Sequence, residues 1–159
     1  MLEIVDEPIA RLQEHVRIRA AYEGKDYDAI EDPTRWAETW DLSRWGLIAA
    51  YMDQVRAGGC VLAFDTPGFE MLDRPDMVVL WDIRVDAPHR RRGIATALFG
   101  AAEQWGRARA CTLLRVETQD VNPAACRLYE RCGCTLVRST PGAYPALPHE
   151  TQLIWEKRL

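Results

Sequence analysis

The stretch VDAPHRRRGIATALFG, residues 85–100, places one histidine and three arginines directly before a glycine and continues with small and apolar residues at helical spacing. It follows a strand-like run, so it predicts a turn between a strand and a helix that begins at Ile94. The first N–H groups of a helix lack internal partners and carry the positive end of its dipole, which favours anions. Gly93 leaves room for a ligand beside the backbone, and Arg90, Arg91 and Arg92 add charge-assisted contacts. We predict a phosphate-binding turn; the alternative is a solvated basic helix start.

The composition restricts the kinds of partner. The chain has 159 residues, 48% of them hydrophobic and 28% charged, which is typical of one globular domain over residues 1–159. With 20 basic and 24 acidic residues the net charge is −4, so we expect no nucleic-acid partner, which would require a broad basic face. No apolar run approaches the roughly 20 residues of a membrane span, so we expect no membrane partner.

The N-terminus and the cysteines indicate a cytoplasmic location. The first 23 residues mix acids and bases and lack the apolar core and cleavage site of a secretory signal. Five cysteines are an odd number, which fits reduced thiols. The spacing of Cys132, Cys134 and His149 matches no zinc pattern, so we expect no metal.

The rest of the chain predicts an alternation of strands and helices. An amphipathic helix is expected in residues 9–23 and a short helix in 31–39, with Asp32 as its N-cap and Pro33 at its first position. A hairpin follows, with strands at 45–52 and 58–65 and a polar turn that ends in two glycines. Further strands are expected at 77–85, 111–119, 135–140 and 150–159, and helices at 94–107 and 123–132. This order favours an α/β sheet with crossover connections.

Two sequence blocks together resemble the GNAT superfamily of N-acetyltransferases. After a strand that ends at Val85, the segment RRRGIA (90–95) matches the family pattern of Arg or Gln, two residues, Gly, one residue, and Gly or Ala. The segment NPAACRLYERCG (122–133) matches the family at its Asn, Ala, Tyr and Gly, and the longer segment 117–133 looks most like the streptothricin acetyltransferases. Cys134 departs from the family, which usually has Phe at this core position. The resemblance covers residues 77–159 and implies a mixed, mostly antiparallel central sheet of six to seven strands, about four flanking helices and a splay between the fourth and fifth strands.

The resemblance implies that acetyl-CoA is the cosubstrate and that its diphosphate is the anion of the turn. Backbone N–H groups of about Arg91 to Thr96 would hold the diphosphate, and the backbone of Ile83 and Val85 would pair with the pantetheine arm between the splayed strands. Asn122 would bond an amide of the arm, and it also fits a helix N-cap. The expected coenzyme contacts are Ile83, Arg84, Val85, Arg90, Arg91, Arg92, Gly93, Ile94, Ala95, Thr96, Asn122, Cys126 and Tyr129.

Three residues are candidates for the catalytic groups. A primary amine with a pKa of about 10 is mostly protonated at neutral pH, so its proton must be removed before attack on a thioester. Glu117 is the first candidate base and Asp82 the second; the alternative for each is a solvated or arginine-paired strand carboxylate, with Arg84 or Arg115 as partner. The resemblance implies that Tyr129 protonates the leaving thiolate, and its alternative is a core tyrosine. Cys126 has no evident base and is expected to pack rather than to carry an acyl group.

The acceptor is expected to be a primary amine of a small molecule. The segment 22–45 supplies aromatic residues among carboxylates, which suits a cationic amine. The candidate residues are Tyr22, Tyr27, Trp36, Trp40 and Trp45 on one wall and Tyr144, Pro145 and His149 on the other, and the alternative for the tryptophans is a core role. The resemblance raises a streptothricin-like or other amine-bearing antibiotic or metabolite; a protein or peptide amine and a non-catalytic acyl-CoA sensor stay open, as does a homodimer.

Overall fold

A computed structural model describes residues 1–19, 28 and 31–159. Its strands are β1 (Leu2–Glu7), β2 (Gly46–Met52), β3 (Val55–Ala63), β4 (Met77–Val85), β5 (Leu113–Gln119), β6 (Thr135–Pro141) and β7 (Thr151–Arg158). The α-helices of the described residues are α1 (Leu12–Val16), α2 (Trp36–Thr39), α3 (Ile94–Arg107) and α4 (Pro123–Arg131), and 3-10 turns lie at Ile9–Arg11, Pro33–Arg35 and Ala87–His89. The predicted bounds of α3 are confirmed to the residue. Of the amphipathic helix predicted in residues 9–23, the described residues show only the 3-10 turn Ile9–Arg11 followed by α1.

The strands form one sheet in the order β1-β2-β3-β4-β5-β7-β6. Every neighbouring pair is antiparallel except β4 and β5, which are parallel. α3 supplies the crossover that a parallel pair requires. The predicted mixed, mostly antiparallel sheet is therefore confirmed, and the N-terminal residues add the edge strand β1.

The parallel strands separate toward their carboxyl ends. β4 and β5 are paired from Met77 with Leu113 to Leu80 with Val116, and no pair follows. Beyond this point β4 stays paired with β3 up to Val85, and β5 stays paired with β7 up to Gln119. The two strand ends therefore face each other across an opening, which is the splay that the resemblance implied.

Apolar side chains cover both faces of the sheet. On one face α3 and α4 pack against the strands through Leu98, Phe99 and Leu128, and Cys134 is buried in this layer. On the other face Trp36, Trp45 and Phe69 pack over Met77 and Val79. This second layer brings α1 and α2 against the sheet.

The hairpin of β2 and β3 has a tighter turn than predicted. Met52 pairs with Val55, which leaves a two-residue loop of Asp53 and Gln54, both with positive φ, as type I′ turns require. β3 begins at Val55, three residues before the predicted start of the strand at Gly58, so both glycines lie inside it. Both make close contacts: a Cβ on Gly58 would lie 2.5 Å from the Arg84 carbonyl oxygen, and one on Gly59 would lie 2.7 Å from His15 Nδ1.

A β-bulge in β4 changes which side chains face each layer. Val61 pairs with Asp82 and Leu62 with Leu80, so Trp81 has no partner of its own on β3. Val78 and Leu80 therefore lie on the α3 face before the bulge, and Ile83 and Val85 lie on it afterwards. The bulge places Trp81 and Asp82 together on the face of α1 and α2.

Within residues 1–19, 28 and 31–159, no helix is long and apolar enough to cross a membrane.

Candidate active site

The opening between β4 and β5 is the centre of a cleft that also touches the α3 turn and α4. Its lining residues are Ile83, Arg84, Val85, His89, Arg90, Arg91, Gly93, Ile94, Ala95, Thr96, Glu117, Thr118, Asn122, Ala124, Ala125, Leu128, Tyr129 and Arg131. The two sequence blocks that resemble the family thus meet at one cleft. Of the expected coenzyme contacts, Arg92 and Cys126 are not among these lining residues.

The turn before α3 is shaped to receive an anion. Gly93 is the N-cap with φ +78°, and no side chain caps the helix, so the first N–H groups of α3 stay available to a ligand. Arg91 also has a positive φ, of 63°, a conformation that non-glycine residues rarely adopt. Apart from Gly93 and its two chain neighbours, no atom of the described residues lies within 4 Å of the position that a Cβ on Gly93 would occupy. This arrangement fits a diphosphate held by backbone N–H groups and by nearby guanidinium groups.

α4 presents Asn122 and Tyr129 to the cleft. The Asn122 side chain accepts a hydrogen bond from the Ala125 N–H at 3.2 Å, which confirms the prediction that Asn122 is the N-cap of α4. Pro123 occupies the first helical position. Tyr129 borders the cleft and is also a buried core residue that packs between Phe99 and Trp155. Tyr129 is therefore a core tyrosine that also borders the cleft, and its role as an acid stays a prediction.

Cys126 lies on α4 with its Sγ 3.9 Å from the Gln119 carbonyl oxygen. Burial and the negative charge of Glu130 raise the pKa of this thiol, which keeps it protonated. These contacts support the packing role for Cys126.

Glu117 projects from the splayed end of β5 and is held by two donors. Its Oε1 accepts hydrogen bonds from the Tyr144 hydroxyl at 2.9 Å and from Gln152 Nε2 at 2.7 Å. Gln119 Nε2 donates to the same tyrosine hydroxyl at 3.1 Å, so Glu117 and Gln119 share a face, as side-chain alternation along a strand requires. Tyr144, expected on the acceptor wall, thus lies beside Glu117, whereas Pro145 and His149 are exposed.

Asp82 is part of a buried ionic network on the face of β4 that packs against α1, opposite to the face covered by α3. Its Oδ2 lies 2.6 Å from His15 Nε2 and accepts from Arg84 Nε at 2.7 Å. Burial raises the pKa of Asp82, but the hydrogen bond and charge of His15 and the charge of Arg84 outweigh it, and the pKa is lowered. The Asp82 carboxylate is therefore paired with Arg84 and His15, and its role as a base stays a prediction.

A second pocket lies on the α2 side of the sheet. It is lined by Asp28, Glu31, Asp32, Arg35, Trp36, Glu38, Thr39 and Trp40, and is called the acidic tryptophan pocket below. Trp36 and Trp45 are buried, and Trp45 Nε1 donates to Thr66 Oγ1 at 2.8 Å, so Trp45 has the core role. Trp36 and Trp40 combine core packing with a place on the pocket wall. The candidates Tyr22 and Tyr27 lie outside the described residues.

Glu31, which lines the acidic tryptophan pocket, interacts electrostatically with Glu117, which lines the coenzyme cleft. Burial and the negative charge of Glu117 raise the pKa of Glu31. The acidic tryptophan pocket therefore lies close enough to the Glu117 end of the cleft for the two carboxylates to repel each other.

Several lining residues were missed from the sequence. Thr118 borders the cleft although it alternates with Glu117, because the splayed edge of β5 has no neighbouring strand to cover it. Arg131 of α4 and His89 of the 3-10 turn add a guanidinium and an imidazole to the lining of the cleft. The only sequence signal for Arg131 was its place two residues after Tyr129 on an amphipathic helix.

A metal site is not indicated. Within the part of the chain that the structure describes, no group of three or more His, Cys, Asp or Glu side chains could hold a metal ion. All five cysteines are free thiols.

Comparison with known proteins identifies the family. The model of the acetyltransferase (GNAT) family matches residues 12–134. L-2,4-diaminobutyric acid acetyltransferase of Streptomyces coelicolor is 34% identical over 116 residues, which are 67% of this chain and 68% of that protein. Streptothricin acetyltransferase of Escherichia coli is 35% identical over 83 residues, 50% of this chain, and the match spans only 48% of that relative.

The solved structures show the same fold. A Bacillus anthracis str. Ames protein crystallised in complex with acetyl coenzyme A aligns with a TM-score of 0.76 at 21% identity, over 100% of this chain and 99% of that one. The matched family model spans both the α3 turn and the α4 block that line the cleft. The chain therefore belongs to the GNAT acetyltransferase family.

Proposed function

We propose that the protein is an N-acetyltransferase that moves the acetyl group of acetyl-CoA to a primary amine of a small molecule. The observation that carries this proposal is the cleft itself. It joins an uncapped helix N-terminus, an open strand edge and a carboxylate within one lining. Family membership and the acetyl-CoA complex of the B. anthracis structure support the choice of cosubstrate.

The coenzyme would lie along β4 and over the start of α3. Backbone N–H groups of Arg91 to Thr96 would bind the diphosphate, with charge assistance from Arg90 and Arg91. The unpaired edge of β4 at Ile83 and Val85 offers backbone groups to the pantetheine arm. The Arg84 side chain takes no part in phosphate binding in this scheme, because its guanidinium is bound to carboxylates on the other face.

Glu117 is the proposed base. The amine must lose its proton before or during attack on the thioester carbon, and a carboxylate at the cleft is placed to accept it directly or through water. The hydrogen bonds from Tyr144 and Gln152 fix the position of the Glu117 carboxylate. Asp82 is the second candidate base, because its carboxylate is already hydrogen-bonded to His15 and Arg84.

Tyr129 is the proposed acid. Its phenol can donate a proton to the departing thiolate, while its ring is fixed between Phe99 and Trp155. The packing of the Tyr129 ring against Phe99 and Trp155 would therefore also orient the hydroxyl that donates the proton.

A small-molecule amine is favoured as acceptor by the carboxylates and indole rings of the acidic tryptophan pocket. The names of the two relatives refer to amine-bearing small molecules, diaminobutyric acid and streptothricin. A protein or peptide amine is the second candidate, because the fold is shared with the Escherichia coli ribosomal-protein-S18-alanine N-acetyltransferase, at 18% identity and a TM-score of 0.73. A homodimer and a cytoplasmic location stay predictions.

A thiol-release assay with acetyl-CoA tests the proposal. The panel contains simple amines, diamino acids, polyamines, aminoglycosides, streptothricin and peptides. Coenzyme A release that depends on a small amine supports the function, and release only with peptides would transfer it to the second candidate. Binding of acetyl-CoA without release with any amine would indicate an acyl-CoA sensor.

A further inference from the structure

The side chain of Arg84 connects β4 to two distant parts of the chain. Its guanidinium donates to Asp28 through both terminal nitrogens, each at 2.7 Å. It also donates from Nη1 to the Ile18 carbonyl oxygen at 2.9 Å and from Nε to Asp82 at 2.7 Å. The Arg84 side chain is 1% exposed, so these bonds are made away from water. One arginine thus holds both Ile18 and Asp28 to the strand that borders the coenzyme cleft.

Asp28 belongs to the other pocket. It lines the acidic tryptophan pocket and its side chain is 29% exposed, while both of its carboxylate oxygens accept from Arg84. Arg84 in turn lines the coenzyme cleft. The fork of two parallel N–H to oxygen bonds fixes the orientation as well as the distance of the carboxylate, which a single ion pair would not do.

Arg84 is itself held in place by its neighbours. Asp82 accepts from its Nε and is anchored to His15, which is fully buried on α1. Gly59 leaves the room that His15 needs, because a Cβ there would lie 2.7 Å from His15 Nδ1. A chain of contacts therefore runs from α1 through Asp82 and Arg84 to Asp28.

We infer that Asp28 is a positioning residue for acceptor binding, which rests on the proposed function. Its two-bond pair with Arg84 holds the wall of the acidic tryptophan pocket at a fixed place relative to β4. The carboxylates and indole rings of that wall then keep the arrangement that would bind a cationic amine. Loss of the pair loosens the acceptor wall and leaves the turn before α3, on the opposite face of the sheet, as it is.

Asp28→Asn tests the inference. Asparagine keeps the size of the side chain but supplies only one acceptor oxygen and no charge, so the fork with Arg84 is lost. We expect the KM for the best amine of the panel to rise about tenfold or more, while the Kd for acetyl-CoA stays within about twofold and kcat at saturating amine changes little. Asp28→Glu restores the charge on a longer stem and should recover part of the acceptor affinity.

Glu103→Gln is the matched control. Glu103 is a partly buried α3 carboxylate that binds Lys157 at 3.0 Å and Arg107 at 3.2 Å, away from both pockets. Its loss should lower the thermal unfolding midpoint without a change in the KM for the amine. Thermal unfolding of every variant shows whether it is folded. If Asp28→Asn does not fold, the amine KM and the acetyl-CoA Kd of Asp28→Glu are compared with the wild type in its place.

Two results would overturn the inference. One is an amine KM in folded Asp28→Asn within about twofold of the wild type. The other is a parallel loss of acetyl-CoA affinity, which would show a general structural role. An active wild-type protein with either result leaves the proposed function intact, whereas a wild type that acetylates no amine removes both proposals.

Discussion

At the scale of single residues, the proposed chemistry depends on Glu117. Glu117→Gln keeps an oxygen that can accept from Tyr144 and Gln152, so the local hydrogen bonds survive while the proton acceptor is lost. We expect kcat/KM at neutral pH to fall about 100-fold and to recover partly at higher pH, where the free amine deprotonates on its own. A pH–rate profile checks this. An equal loss at every pH would make Glu117 an acceptor-binding group, and unchanged activity would pass the role to Asp82 or water.

Tyr129 carries the second prediction at this scale. Tyr129→Phe keeps the ring that packs against Phe99 and Trp155 and removes only the hydroxyl. We expect unchanged acetyl-CoA binding and a fall in kcat of about tenfold or more, because the leaving thiolate loses its proton donor. Calorimetric binding and steady-state thiol release measure the two quantities. Wild-type turnover with every acceptor would contradict the acid role.

At the scale of structural elements, the turn before α3 is the feature on which coenzyme binding depends. Gly93→Asp places a side chain on a backbone with φ +78° and brings a negative charge to the N–H groups that would hold the diphosphate. We expect the Kd for acetyl-CoA to rise more than about tenfold, since charge-assisted bonds to phosphate are lost. Gly100→Asp, a surface change on the same helix with open space around it, should leave the Kd unchanged. Unchanged affinity in folded Gly93→Asp would contradict the assignment of the turn.

The elements that the sequence predicts best are those with local signals. α3 begins after Gly93 and follows its apolar period to Arg107, and the α4 cap follows from Asn122 and Pro123. The bulge in β4 has no such signal, because it depends on the register between β3 and β4. Alternation within β5 puts Glu117 and Gln119 on one face, as the structure has them, but the same rule applied along β4 fails at Trp81.

The roles of Asp82 and His15 were hidden for a related reason. The two residues are 67 positions apart, and their pair forms only when α1 packs on the sheet. From the sequence alone Asp82 is a candidate base beside the expected cleft, and only the structure shows that its carboxylate is bound by His15 of α1 and by Arg84. For the acceptor site, the sequence predicts only a segment rich in acids and tryptophans. The acidic tryptophan pocket itself depends on tertiary packing, which brings these side chains together.

At the scale of the whole molecule, the Asp82 network stabilises the folded state by joining α1 to the centre of the sheet. The groups bound to Asp82 are His15 from α1 and Arg84 from β4. Burial and the charge of Asp82 also raise the pKa of the Cys60 thiol on β3. Because the pKa of Asp82 is lowered in the folded protein, its contribution is complete above the unfolded value of about 3.9. That contribution is lost as the pH falls through the folded pKa.

Asp82→Asn tests this contribution. The substitution removes the charge that compensates Arg84 and His15 in a buried site, so we expect the free energy of unfolding at pH 7 to fall by about 3 kcal/mol. The difference from the wild type should shrink as the pH falls below about 4, because the wild-type carboxyl then becomes protonated as well. Urea unfolding at pH 7 and at several acidic pH values measures both effects, with Glu103→Gln as the reference for an ordinary ion pair. A difference that stays constant with pH would mean that the Asp82 charge contributes nothing and that only side-chain packing was changed.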